Sequence, residues 1–323
     1  MAASTPLISA GLALRVHGLR KTFGDVVAVA GLDLEVSPGE CFGLLGPNGA
    51  GKTTTIEICE GLTQPDAGEV ELLGRTWHDH GDDLRQRLGI QLQETQLSEK
   101  LTVQETLRLF RSFYRNGRDV GDVISLVQLD EKRRARVGTL SGGQKQRLAL
   151  GCALVGDPEL VFLDEPTTGL DPQARRQVWE LIEELKATGR TILLTTHYMD
   201  EAERLCDQVA IVDHGRNIAL GTPRQLIAGL GAEQIVAFAV EKQAAGRLDP
   251  QTLAAIATAI DATRPAHATD TGWELPVAAL HLAIPALLAE LDRRALPLAE
   301  LRTHSPTLED VFVSLTGRAL RDA

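Results

Sequence analysis

Only four cysteines occur, Cys41, Cys59, Cys152 and Cys206, and no two of them form a C-x-x-C pair. None stands beside a group of histidines, so neither a zinc site nor a disulfide framework is indicated. They are expected to be small core residues in a reducing compartment. No run approaches ~18 uninterrupted apolar residues, so no segment is expected to span a bilayer as a helix. Residues 1–14 lack a basic n-region and are not expected to act as a signal peptide. Positive charge is in deficit: 33 Lys and Arg face 44 Asp and Glu, a net charge of −11. That argues against duplex nucleic acid as the main partner, because binding its phosphates needs a basic face. Internal repeats and coiled-coil heptads are also missing. If the chain works at a membrane, another chain must supply the membrane part.

What is present is ample core. With 323 residues, 43% of them hydrophobic, the chain should fold as one large domain and a smaller one. A small, polar leader is expected over residues 1–11, then an α/β domain over 12–231. Within it, about 95–156 reads as a mostly helical subdomain. From 232 to 323 the pattern shifts to a small α+β module without a chemical motif.

The α/β domain is organised around Gly46-Pro47-Asn48-Gly49-Ala50-Gly51-Lys52-Thr53, which fits G-x-x-x-x-G-K-[ST]. An apolar strand is expected over 41–45 and a helix over 54–62. Strand, glycine-rich loop and helix together raise this motif above a chance match. The glycines let backbone N–H groups turn toward a triphosphate, and the helix end adds partial positive charge. Lys52 would reach the β- and γ-phosphates, and the Thr53 hydroxyl would sit on Mg²⁺.

Further along, strands are expected at 14–19, 32–36, 69–73 and 88–93. Phe23 is either an ordinary core aromatic or a face for an adenine. Gln93 is either a surface glutamine or a polar group at a strand end. Thr102 to Glu105 is a capping box, followed by Val103, Leu107, Phe110 and Tyr114 on one helical stripe. Lys132, Arg133, Arg134 and Arg136 suit a solvated helix face, with an acidic membrane or partner loop as the alternative. Ser141 is a good N-cap, and Gly142 and Gly143 leave bare amides beside it. This is a capped helix or a second anion site. One triphosphate needs one such site per chain, so a second suggests a nucleotide held by another subunit.

Residues 160–163 read as a buried strand ending in Asp164-Glu165. Asp164 would hold Mg²⁺, mostly through water, and Glu165 would orient or deprotonate the attacking water. Asp171 with Pro172 opens a helix bearing Val178, Leu181, Ile182 and Leu185 on one face. Another buried strand, 191–196, ends on His197, which either is a satisfied core residue or points at a γ-phosphate. Both strand ends would emerge on the carboxyl side of a parallel sheet, where ligands bind.

These motifs together resemble the ATP-binding cassette ATPases. The match rests on GPNGAGKT at 46–53, LSGGQ at 140–144, VFLDEP at 161–166, TGLDP at 168–172 and His197, and it covers residues 12 to about 229. The resemblance implies a phosphate-loop ATPase core with an antiparallel β subdomain and a helical subdomain. ATP and Mg²⁺ are the cofactors it implies. Phe23 looks like the adenine-stacking aromatic, and Gly46 to Thr54 like the phosphate cradle, including Thr54. Ser141, Gly142, Gly143 and Gln144 look like the signature that contacts ATP across a dimer. Gln93 looks like the glutamine that senses Mg²⁺ and the partner subunit. Asp171 looks like the aspartate facing the opposite site, and His197 like the histidine that contacts the γ-phosphate. Thr53, Gln93 and Asp164 are then the metal residues, and Glu165, His197 and Gln93 the catalytic ones.

The ending at 305–312, with Gln91 to Glu94 and Thr196 to Ala202, resembles subunits of bacterial multidrug, lipid and polysaccharide exporters. That resemblance implies a head-to-tail dimer with a second copy, a separate transmembrane permease, and a peripheral place on the cytoplasmic face of the membrane. It implies no nucleic-acid partner. The alternatives are an import subunit or a soluble cassette acting on nucleic acid or ribosomes. Such soluble proteins usually carry two cassettes, long coiled-coil insertions or zinc modules, and this chain has one cassette and an acidic surface.

Overall fold

A computed structural model describes residues 11–93, 96–231, 234–241, 243–269 and 272–317. The chain divides into two compact units, one up to Leu220 and one from Gly221. The division falls ahead of Gly229 and Gly231. Most of the expected leader, Glu94 of the exporter-like motif, and Glu233 at an expected strand start lie outside the described residues.

The first unit opens with β1 (Leu14–Phe23), β2 (Val26–Val36), β3 (Cys41–Leu45), α1 (Lys52–Cys59) and β4 (Ala67–Leu72). Next come α2 (Trp77–Arg87), β5 (Leu88–Gln91), α3 (Val103–Arg111), α4 (Val120–Leu126) and α5 (Gly142–Leu154). It ends with β6 (Leu160–Asp164), α6 (Pro172–Ala187), β7 (Thr191–Thr196), α7 (Met199–Leu205), β8 (Gln208–Asp213) and β9 (Arg216–Gly221).

Two sheets share this unit. One is antiparallel, ordered β2-β1-β4. The other has six strands, ordered β5-β6-β7-β3-β8-β9, with β5 through β8 in parallel pairs. Strands β3, β6 and β7 are buried along their whole length. That accounts for their unbroken apolar composition, since a parallel sheet is covered on both faces. Phe42, Leu44, Ile56, Phe162 and Leu193 join one core with the inward face of the antiparallel sheet. All four cysteines are free and buried.

Register sets up the site. Leu45 pairs with Thr196, and Asp164 with Thr195. The carboxyl ends of β3, β7 and β6 therefore finish flush on neighbouring strands, and the loops that follow them share one edge. On the far side of β6, Gln91 pairs with Leu163, so the chain leaving β5 reaches the same edge.

Several sequence expectations are adjusted. The strands at 14–19 and 32–36 extend to Phe23 and back to Val26, because ladder hydrogen bonds continue past the apolar alternation. Helix α3 stops at Arg111, so Tyr114 lies beyond it. Tyr114 still turns inward: a Cβ on Gly156 would meet its ring carbon Cε1 at 2.4 Å. The basic run is exposed or half-exposed, but it is not a helix face. Residues 133–136 follow a short 3₁₀ turn, and the carbonyls of Arg133 and Ala135 accept from Gln104 and Val103 at the start of α3. Helix α2 was not foreseen.

The second unit contains α8 (Pro223–Ala228), β10 (Gln234–Val240), α9 (Pro250–Ala259) and β11 (His267–Thr269). After these come β12 (Gly272–Val277), α10 (Leu280–Arg293), β13 (Leu298–His304) and α11 (Leu308–Thr316). Its four strands are antiparallel in the order β11-β12-β10-β13. Val236, Phe238, Ile256, Leu275 and Leu287 form a core of its own.

Candidate nucleotide site

The loop between β3 and α1 is shaped by glycine. Gly49 and Gly51 have φ of 79° and 99°, in the left-handed region. A Cβ on Gly51 would lie 2.2 Å from the Ala28 carbonyl oxygen, so no other residue fits there. Gly51 is also the N-cap of α1 and offers no side chain to the helix's first turn. The N–H groups of that turn are left for an outside acceptor, which is what an anion needs. Lys52 Nζ donates to the carbonyls of Gly46 and Pro47 at 2.8 and 3.0 Å. The lysine thus folds back over its own loop. Burial lowers its pKa, and Glu165 and Asp164 oppose that shift.

At the end of β6 two adjacent carboxylates diverge. Burial pushes Asp164 above the usual range; the Thr195 hydroxyl, which donates to its Oδ1, and Thr53 pull the other way. Glu165 is held below the usual range, first by the His197 ring and further by Thr168 and Lys52, against the effect of burial. Glu165 also sits at φ 47° and is anchored by its N–H donating to Thr195 Oγ1 at 3.0 Å. A side-chain-bearing residue in this conformation is strained, and such strain is held where a side chain must be aimed. Around this carboxylate lie Lys52 Nζ at 3.8 Å, His197 Nδ1 at 3.2 Å, Gln93 Nε2 at 3.4 Å and Thr168 Oγ1 at 2.9 Å.

Lys52, Thr53, Gln93, Asp164, Glu165 and His197, which stand far apart in sequence, are thus brought together. Ser141, Asp171 and Phe23 share no hydrogen bond or ion pair with this cluster among the described residues. Ser141 caps α5 by accepting from Gln144 N, while its own N–H donates to Gln144 Oε1, so the side chains of Ser141 and Gln144 serve that cap. Asp171 accepts from Gln173 N and Ala174 N at 2.9 Å as the cap of α6. Phe23, at the end of β1, is 50% exposed, with Lys21 Nζ 5.2 Å from its ring centre. An exposed aromatic beside a cation is free to take a flat ligand.

The donors suit a nucleotide with a hard divalent ion. Thr53 and Asp164 provide oxygens beside the loop, and Gln93 an amide oxygen. Among the described residues no cluster of three or more His, Cys, Asp or Glu can hold a metal alone. Mg²⁺ would therefore draw most of its ligands from phosphate and water, its usual habit.

A glycine-shaped anion loop with adjacent acids at the end of the next-but-one strand defines a phosphate-loop nucleoside triphosphatase. Residues 29–168 match the family described as ABC transporter. The chain is 39% identical to a Nod factor export ATP-binding protein I of Ralstonia nicotianae, over 99% of this chain and 96% of the relative. It is 42% identical to one of Burkholderia lata, over 95% and 97%. Among solved structures, an ATP binding subunit of an ABC transporter aligns with TM-score 0.62 and 32% identity, covering 68% of this chain and 93% of that one. A dimeric bacterial ABC transporter cassette aligns with TM-score 0.59 and 25% identity, over 65% and 98%. The chain belongs to the ATP-binding cassette ATPases of ABC transporters, and its first unit is their ATP-binding, ATP-hydrolysing fold.

Proposed function

We propose that this chain is the ATP-hydrolysing subunit of an exporter, working as a head-to-tail pair beneath a separate transmembrane permease. Residues 12–231 would form the ATPase domain and 232–323 an accessory domain. The relatives named for Nod factor export, similar along nearly their whole length, support an export role. The cargo class remains a drug, lipid or glycan. Among the described residues no helix is long and apolar enough to cross a membrane. Working beneath a permease, the chain would lie peripherally on the cytoplasmic face.

The observation that carries this reading is the division of the expected site. Lys52, Asp164, Glu165, His197 and Gln93 converge, while the Ser141 cap makes no hydrogen bond to them. A second copy would supply Ser141, Gly142, Gly143 and Gln144 to the first copy's nucleotide, with its Asp171 facing the same site. Phe23 would stack on the adenine, and Gly46 to Thr54 would cradle the phosphates. Thr53, Asp164 and Gln93 would hold Mg²⁺, which when bound neutralises phosphate charge. Lys52 would stabilise the loosened γ-phosphoryl group, while Glu165 orients and accepts a proton from water and His197 fixes that geometry.

The test is Glu165→Gln. Turnover should fall at least about 100-fold, because a positioned base contributes that much or more. ATP binding should persist, and light scattering should show a two-copy species with ATP. Normal turnover in that variant would refute the role given to Glu165, and a persistent single copy would refute the shared site.

A further inference from the structure

His197 is held in an unusual way. Its Nδ1 is buried and, although 3.2 Å from Glu165 Oε1, makes no hydrogen bond among the described residues. That close contact with Glu165 does not by itself hold the plane of the ring. A stack on its face adds the constraint. The Tyr198 ring lies against it with centroids 4.2 Å apart and planes at 41°. The Arg175 guanidinium then covers Tyr198, its carbon 4.1 Å from the ring centre. Among the described residues Arg175 has few other partners: its buried Nε makes no hydrogen bond, and Asp200 Oδ2 is 3.8 Å from its Nη1.

Arg175 stands on the first turn of α6, its N–H bonded to the Asp171 carbonyl at 3.0 Å. The preceding residue, Ala174, is where the signature helix docks. A Cβ on Gly143 would lie 2.7 Å from Ala174 Cβ, so glycine is what lets α5 pack so close. The frame around this stack is tied by the buried Glu201, whose Oε1 accepts from Thr167 Oγ1 and Trp179 Nε1, both at 2.8 Å. A continuous contact path therefore runs from Gly143 and Asp171 to Ala174 and Arg175, then through Tyr198 to His197 and Glu165.

We propose that Arg175 and Tyr198 are positioning residues that aim His197 and couple its aim to the end of α6 that carries Asp171. The proposal rests on the reading that His197 serves hydrolysis and that Asp171 and the signature face a second copy's nucleotide. Physically, a cation over an aromatic face holds the face flat, and the tilted ring pair passes that orientation on. A shift at the first turn of α6 moves Arg175 and hence the His197 ring, so nucleotide seated by one copy's signature tunes hydrolysis in that same copy's own site.

The test uses the purified full-length chain. Arg175→Ala should lower kcat by on the order of tenfold, the cost of a modest misplacement of a catalytic group, with ATP affinity nearly unchanged. Arg175→Lys should restore most of the loss, because an ammonium also covers the ring. Tyr198→Phe should retain turnover and Tyr198→Leu should lose it. In a His197→Ala background, Arg175→Ala should cost nothing further in single-turnover hydrolysis, as two members of one unit are not additive. The ring-proton NMR signals of His197 should move in Arg175→Ala and return in Arg175→Lys.

Unchanged ring signals would overturn the stack whatever hydrolysis does. Equal losses with and without His197 would show that Arg175 acts elsewhere. If His197→Ala itself turned over normally while the ring signals still moved, the stack would stand and the role assigned to His197 would fall.

Discussion

Lys52 Nζ stands 3.8 Å from Glu165 Oε1, with side chains only 4% and 6% exposed. The ammonium is already desolvated, and its charge is shared among two carbonyls and one carboxylate. A buried cation with so few strong partners has a large electrostatic gain available from a polyphosphate. Lys52→Ala should weaken ATP binding about 10- to 100-fold, the range for losing a charged hydrogen bond, and abolish turnover. Titration calorimetry with ATP checks this; affinity within a factor of about two of wild type would remove Lys52 from the phosphate site.

Ser141→Arg separates binding from assembly. The hydroxyl caps α5 from an exposed position, so the folded unit should lose only about 1 kcal/mol. ATP should still bind to the isolated chain. If that helix end meets another copy's triphosphate as proposed, an arginine there blocks closure, so hydrolysis and the two-copy species should both vanish. Wild-type hydrolysis would show that each site is complete within one chain.

Glu60 makes stability depend on pH. It ends α1 buried, with neither carboxylate oxygen hydrogen-bonded among the described residues. Burial, and then the charges of Asp164 and Glu57, push its pKa from 4.5 up to about 8. The folded state holds this proton more tightly than the unfolded chain does. Its contribution is therefore best below about pH 4.5 and is lost as pH rises toward about 8. Glu60→Gln removes the penalty of ionising a buried acid. Its melting temperature relative to wild type should climb steadily between pH 5 and pH 8. A difference that is flat across that range would mean that Glu60 is not ionised against a penalty.

The parts of the fold that could be read directly are those whose cause is local. The glycine pattern of 46–51, the caps Thr102, Ser141 and Asp171, and the apolar strands at 41–45, 160–163 and 191–196 each state their own structure. Helix α2 does not. Trp77–Arg87 has one buried residue, Leu84, and a glycine inside, so no apolar stripe announces it. It is held by Trp77 Nε1 donating to the Cys59 carbonyl at 2.8 Å, a contact made only once α1 is in place. The basic run 132–136 failed as a helix for a related reason, since its carbonyls are taken by the start of α3.

By sequence alone the phosphate loop points to an anion, because its glycines bare backbone N–H groups and Lys52 adds a positive charge beside them. The family motifs extended that to half of an ATP site. Only the tertiary structure decided what surrounds Glu165, and that Tyr198 and Arg175 stack beside His197. Those contacts are made between strand ends and helix faces that the parallel sheet sets side by side, and no local pattern encodes which strands become neighbours.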